Sequence, residues 1–132
     1  MEKKFINPDT LHAPRGYTHV VTVAGGRMLF VAGQVAVDKE GQIVGRGDLK
    51  TQARKAAENL AAALKSAGAS LADVVKMNTY VVNYKPDDYR AIADMRREFF
   101  PKENAPASTL IGVAALAIDG LLIEIEAVAA LP

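Results

Sequence analysis

The chain has 132 residues, half of them hydrophobic, and 16 Lys and Arg stand against 15 Asp and Glu for a net charge of +1. That length suits one domain, residues 1–132, with one core. The near-neutral charge gives no electrostatic case for a nucleic acid or an anionic membrane as partner. No Cys is present, which excludes disulfides, thiol catalysis and thiolate metal sites. His12 and His19 have no other metal-binding residues at ligand spacing, so no metal and no cofactor is expected. No apolar run reaches membrane-spanning length, and MEKKFINPD has no signal-peptide core, so the expectation is a soluble, cytoplasmic protein.

The first sixteen residues contain Pro8, Pro14 and Gly16 and predict an irregular arm with a short extended piece. Tyr17 to Val23 alternates and is β-branched, which predicts a strand. Gly25-Gly26 is the pair a two-residue hairpin turn favours. Arg27 to Val37 is then the returning strand, with Gly33 marking a bulge or a close backbone approach. Asp38 to Gly47 reads as a polar loop with a short strand at Gln42 to Val44.

Asp48 is the predicted N-cap of a long helix, Leu49 to Ala67, with Ala53, Ala56, Ala57, Leu60, Ala61 and Leu64 at helical spacing. Gly68 stands at the C′ position. Ser70 and Asp73 have capping-box spacing for a single helical turn. Val74 to Val82 predicts a strand, and on it Lys76, Asn78 and Tyr80 read as a solvated face. Pro86 opens a second helix, with Asp87 and Asp88 at its positive end, and Pro101 stops it.

Ala107 to Leu116 is apolar on both faces and predicts a central strand. Asp119-Gly120 supplies the turn to a last strand, Leu121 to Ala130. Its period-two alternation points Leu121, Ile123, Ile125 and Ala127 one way, and Leu122, Glu124, Glu126 and Val128 the other. Five or six strands and two helices imply a mixed sheet covered by helices on one face. The bare face predicts oligomerisation.

Several stretches, in this order and spacing, resemble the RidA family of imine/enamine deaminases, also called YjgF. They are Ala13-Pro-Arg-Gly-Tyr17, Phe30-Val-Ala-Gly-Gln34, Gln52-Ala-Arg54 with Asn59, and Ala69 through Lys76. Glu98-Phe-Phe100, Ala105-Pro-Ala107 and Ile123 through Val128 complete the match, which covers almost the whole chain. The resemblance implies an α+β, chorismate-mutase-like fold packed as a homotrimer, with small-molecule pockets between subunits and no cofactor.

Deaminating members hold the substrate carboxylate with an Arg and place a Glu near the attacking water. A Tyr, a Ser before the Gly-Gln pair and an Asn on the second helix complete their pocket. Carried over, the Glu matches Glu124 and the Tyr matches Tyr17. The Arg position is Ser108, the Ser position is Ala32, and the Asn position falls near Ala93. Gly33 can present a backbone amide, and Arg15, two residues from Tyr17, is the candidate replacement cation. Glu126 is read as a structural or ion-pairing carboxylate.

The expected function is a hydrolase of the imine/enamine deaminase type with Glu124 as acid/base, weak or inactive on 2-iminopropanoate. The alternative is a non-catalytic trimer that binds a small molecule. Ribonuclease activity, also attached to this family, is disfavoured by the charge and by the lack of a His acid/base pair.

Overall fold

A computed structural model describes residues 1–132. The elements are β1 (Glu2–Ile6), β2 (Val20–Ala24), β3 (Arg27–Val35), α1 (Leu49–Ser66), β4 (Val74–Val82), α2 (Tyr89–Phe99), β5 (Ala107–Val113) and β6 (Ile123–Leu131). Four strands form a mixed sheet in the order β3-β6-β4-β5, with β5 parallel to β4 and the other pairs antiparallel. β1 and β2 form a separate antiparallel ribbon.

α1 forms where its caps and apolar stripe place it. The Asp48 carboxylate accepts from the Thr51 amide at 3.2 Å, and Gly68 takes the positive φ of +79° that ends the helix. Ala53, Ala56, Ala57, Leu60 and Leu64 are fully buried against the sheet. They meet Ile123, Ile125, Ala129 and Met77, so helices and core lie on one face of the sheet. The small alanines allow close approach of helix and sheet.

Polar side chains of α1 then fix the ends of two strands. The buried Gln52 amide donates to Gly45 O and Gly120 O, and its carbonyl accepts from the Leu122 amide at 2.8 Å. Asn59 donates to Val35 O and Val37 O at 2.8 and 2.9 Å. Each buried donor and acceptor so paired avoids a desolvation cost of about 1–3 kcal/mol. Arg54 clamps Glu98 of α2 with a two-pronged contact of 3.0 and 2.6 Å.

Four sequence expectations change. Gly25 and Gly26 both take positive φ, but no ladder joins β2 to β3, so the hairpin does not close. The strand expected from Tyr17 starts at Val20, because Thr18 is held elsewhere: its amide donates to Pro106 O at 3.1 Å and its hydroxyl to Ala105 O at 2.5 Å. β5 is an edge strand rather than a central one, with Ile111 41% exposed. It does not pair with β6 either, because β4 lies between them. A parallel β4–β5 pair needs a crossover, and α2 supplies it. The expected single sheet is thus a sheet of four strands and a ribbon of two.

Candidate functional site

Strand alternation and register decide which candidate residues can meet. Ser108 lies opposite Met77, whose side chain is buried under the helices, so Ser108 is on the helix face. Glu124 lies opposite Tyr80, and Glu126 opposite Asn78, on the open face. Within one chain, Ser108 and Glu124 are therefore on opposite sides of the sheet.

On the helix face, beside α2 and the start of β5, is a cavity of about 740 Å³. Arg15, Ala93, Arg96, Arg97, Lys102 and Tyr89 are among its lining residues, so it is markedly cationic. Arg96 reaches it from α2, and its Nη2 donates to the Ser108 hydroxyl at 2.8 Å. A guanidinium thus stands at the very position where the sequence reading found none. Burial pushes its pKa below the ordinary value, and its Nε is buried without a partner. A guanidinium has five N–H donors in a planar fork, so those not spent on Ser108 or buried remain for a ligand. Arg15 and Ala93, two of the expected binding residues, line the same cavity.

Sequence reasoning missed Arg96, although the signal was there. It falls four residues after Ile92 and three after Ala93, on the stripe of α2 that otherwise faces the core. A charged residue on an apolar stripe needs a buried partner or a cavity, and Arg96 has both.

On the open face, β6 presents Glu124 and Glu126. β3 shifts register between Val31 and Gln34, which brings the Gly33 backbone against Glu124. A Cβ on Gly33 would lie 1.8 Å from Glu124 Oε2, so this contact requires glycine. Glu126 is held differently. Tyr80 Oη and Asn78 Nδ2 both donate to its Oε1, the latter at 3.1 Å. These bonds, with the charge of Lys76, hold its carboxyl below the usual range, and the same contact raises the Tyr80 pKa. The strand face read as simply solvated is instead a small polar network, and Lys76 Nζ bonds Thr109 Oγ1 at 2.9 Å.

A shallower depression of about 370 Å³ on this face is lined by Phe30, Ala32, Lys76, Asn78 and Glu126, which is where Ala32 lies. Tyr17 belongs to neither group. Its hydroxyl bonds His12 Nε2 at 2.8 Å, and His19 Nε2 bonds the His12 carbonyl at 2.8 Å. No group of His, Asp or Glu is arranged to hold a metal ion. No helix is long and apolar enough to cross a membrane.

The family model described as Endoribonuclease L-PSP matches residues 8–131. The chain belongs to the RidA/YjgF family. Its α+β fold, a mixed sheet with two helices on one face, is the fold of that family. A solved structure of the Rid family protein YyfB from Yersinia pestis is 42% identical, covers 99% of this chain and 100% of its own, and has a TM-score of 0.88. A 2-iminobutanoate/2-iminopropanoate deaminase of Dermatophagoides farinae is 31% identical over 96% of this chain and 94% of its own length. The structure of TdcF from Escherichia coli with bound serine is 30% identical, covers 98% of this chain and 99% of its own, and has a TM-score of 0.69. The family thus includes imine deaminases and a member that binds an amino acid.

Proposed function

We propose that this RidA-family chain is an imine deaminase whose site is completed between copies in a homotrimer. The observation that carries this reading is the Arg96 guanidinium at the Ser108 hydroxyl, inside a cavity large enough for a small metabolite. Arg96 clamps the carboxylate of a 2-imino acid in the charge-assisted geometry that suits guanidinium. Arg15 and Lys102, on the same cavity wall, add positive potential. Glu124, from the open face of a neighbouring copy, is the acid/base.

The reaction is a hydration followed by an elimination. Water adds to the C=N carbon while Glu124 accepts its proton. That proton passes to nitrogen to give a carbinolamine. The carbinolamine's hydroxyl proton then passes through Glu124 to the same nitrogen as C=O forms and the C–N bond breaks, so a 2-keto acid and ammonia leave. Weak activity on 2-iminopropanoate was expected because the pocket lacked a guanidinium, and Arg96 removes that ground.

The test is imine decay. An amino-acid oxidase generates 2-iminopropanoate or 2-iminobutanoate, and semicarbazide traps what remains. Faster decay with the protein than with buffer alone supports the reading. Decay at the buffer rate, with amino-acid binding retained, would instead favour a non-catalytic binder, the reading suggested by the serine in TdcF. Light scattering at three times the chain mass of 14.1 kDa supports the homotrimer, and a monodisperse monomer would refute the shared site.

A further inference from the structure

We infer that the β1–β2 ribbon is exchanged between copies, β2 of one chain adding as an antiparallel strand to the free edge of β3 in another. The occupant of that edge is a second copy of this chain.

Four observations lead there. β3 is an edge strand, and no strand pairs with its outer side over Arg27–Val35. Such an edge, with Phe30 81% and Met28 42% exposed on it, is a template for another strand. The ribbon has no buried residue in either strand. A two-stranded ribbon is marginally stable by itself, so it needs a third strand.

The connection between β2 and β3 is only Gly25-Gly26, a pair suited to closing a hairpin, and it is open. Thr18 explains why. It is tied to Ala105 and Pro106 at the start of β5, the far edge of the sheet from β3. Three strand spacings, roughly 14 Å, separate those edges. β2 cannot lie along its own β3 while Thr18 keeps both bonds at β5. It can lie along the β3 of a neighbour.

The register follows from the two-residue connection. Ala24 would oppose Arg27 in a closed hairpin. Carried to a second copy, the same register sets Val21 opposite Phe30 and Val20 opposite Val31. Residues 17–19 then continue toward the Gly33 end of that strand. Tyr17 therefore arrives beside Gly33 and Glu124 of the second copy, while Arg15 and Gly16 stay on the cavity that Arg96 lines. The two halves of the proposed site meet at Tyr17. This last consequence rests on the proposed function, but the exchange itself does not. The contact is heterologous and closes into a ring when each chain gives one ribbon and receives one.

Cysteine trapping tests it, since the natural chain has no Cys. Val21 and Phe30 fall at a non-hydrogen-bonded pair of the inferred ladder, where Cβ spacing suits a disulfide. Val21→Cys and Phe30→Cys chains, one carrying an affinity tag, are refolded together and oxidised. Exchange predicts a disulfide joining the two differently substituted chains, identified by peptide mass at twice the 14.1 kDa chain mass. The double variant, Val21→Cys with Phe30→Cys, should give covalent multimers on a non-reducing denaturing gel. A closed hairpin would leave the double variant at single-chain mass with an internal disulfide, and that result overturns the inference. So does the absence of any mixed disulfide in assemblies of normal size. Val23→Cys with Met28→Cys, the next such pair, must give the same answer, which guards against one pair that fails to fold. Connectivity is read without turnover, so loss of the deaminase reading would leave this result standing.

Discussion

Arg96→Met is the most informative single change. Arg96 extends from α2 to the Ser108 hydroxyl at 2.8 Å and is one of the residues that line the cavity. Met keeps much of the length and flexibility of the side chain but has no donor. A charge-assisted hydrogen bond contributes about 1.5–3 kcal/mol. Losing one therefore lowers kcat/KM for 2-iminopropanoate about tenfold to a hundredfold. The loss should fall mainly on KM, because the carboxylate is bound alike in ground and transition states.

Stability should move the other way. The guanidinium is largely buried, its pKa is pushed down by desolvation, and its Nε has no partner. Removing an unpaired buried donor relieves a penalty of about 1–3 kcal/mol. The melting temperature should hold or rise. Imine decay gives the first quantity and thermal melts the second. Unchanged kcat/KM at an unchanged melting temperature would refute the clamp. A fall in melting temperature with unchanged kcat/KM would mark Arg96 as structural.

Four further outcomes follow from the same geometry. Ser108→Ala removes the hydroxyl that orients Arg96 and should raise KM by about twofold to tenfold, as loss of one neutral hydrogen bond does, in the same decay assay. Gly33→Ala drives a Cβ into the Glu124 carboxylate and should abolish imine decay, with a folded assembly still seen by light scattering. Arg96→Met and Glu124→Gln, each impaired alone, should regain about a quarter of wild-type activity when refolded together at equal amounts, because random assembly unites two intact halves in that share of interfaces. Tyr80→Phe removes a bond that depresses the Glu126 pKa. The stability which that bond contributes is full above the unfolded value of about 4.3 and is lost as pH falls through the lower folded value. Melts should show the variant less stable near neutral pH, with the gap closing in acid.

Much of the fold was legible because its signals are local. Asp48, the alanine stripe and Gly68 delimit α1 to within a residue, and VVKMNTYVV is β4 from end to end. The alternation of β6 sorted Ile123 and Ile125 to the core and Glu124 to the open face. The N-terminal ribbon was misread because Gly25-Gly26 permits a hairpin without compelling one. What decides it is Thr18 bonded to carbonyls 87 and 88 residues away, and no window of sequence shows that. The cationic pocket was misread for a related reason. A pocket compared position by position loses its charge when Arg becomes Ser. Here the charge enters from α2, and the serine becomes its hydrogen-bond partner.

The two carboxylates of β6 show how neighbours on one strand face come to differ in role. Glu124 and Glu126 share a face and a strand, so backbone geometry does not separate them. Their cross-strand partners do. Glu126 faces Asn78, with Tyr80 within reach, and both donate to the same oxygen. A carboxylate held in this way has its charge stabilised and is a poor proton acceptor at neutral pH. Glu124 faces Val35 on β3, and the bulge there puts bare Gly33 backbone against its carboxylate. No side chain of its own chain donates to it, so its oxygens stay free for a water molecule or for a hydroxyl brought by another copy. On the inferred exchange that hydroxyl is Tyr17. A general base needs an unspent oxygen within reach of the proton it removes. Glu126 keeps its Oε2 unspent too, but the bonds to Oε1 weaken it as a proton acceptor. Glu124 carries no such bonds, which is why the proposed deamination assigns the base to Glu124.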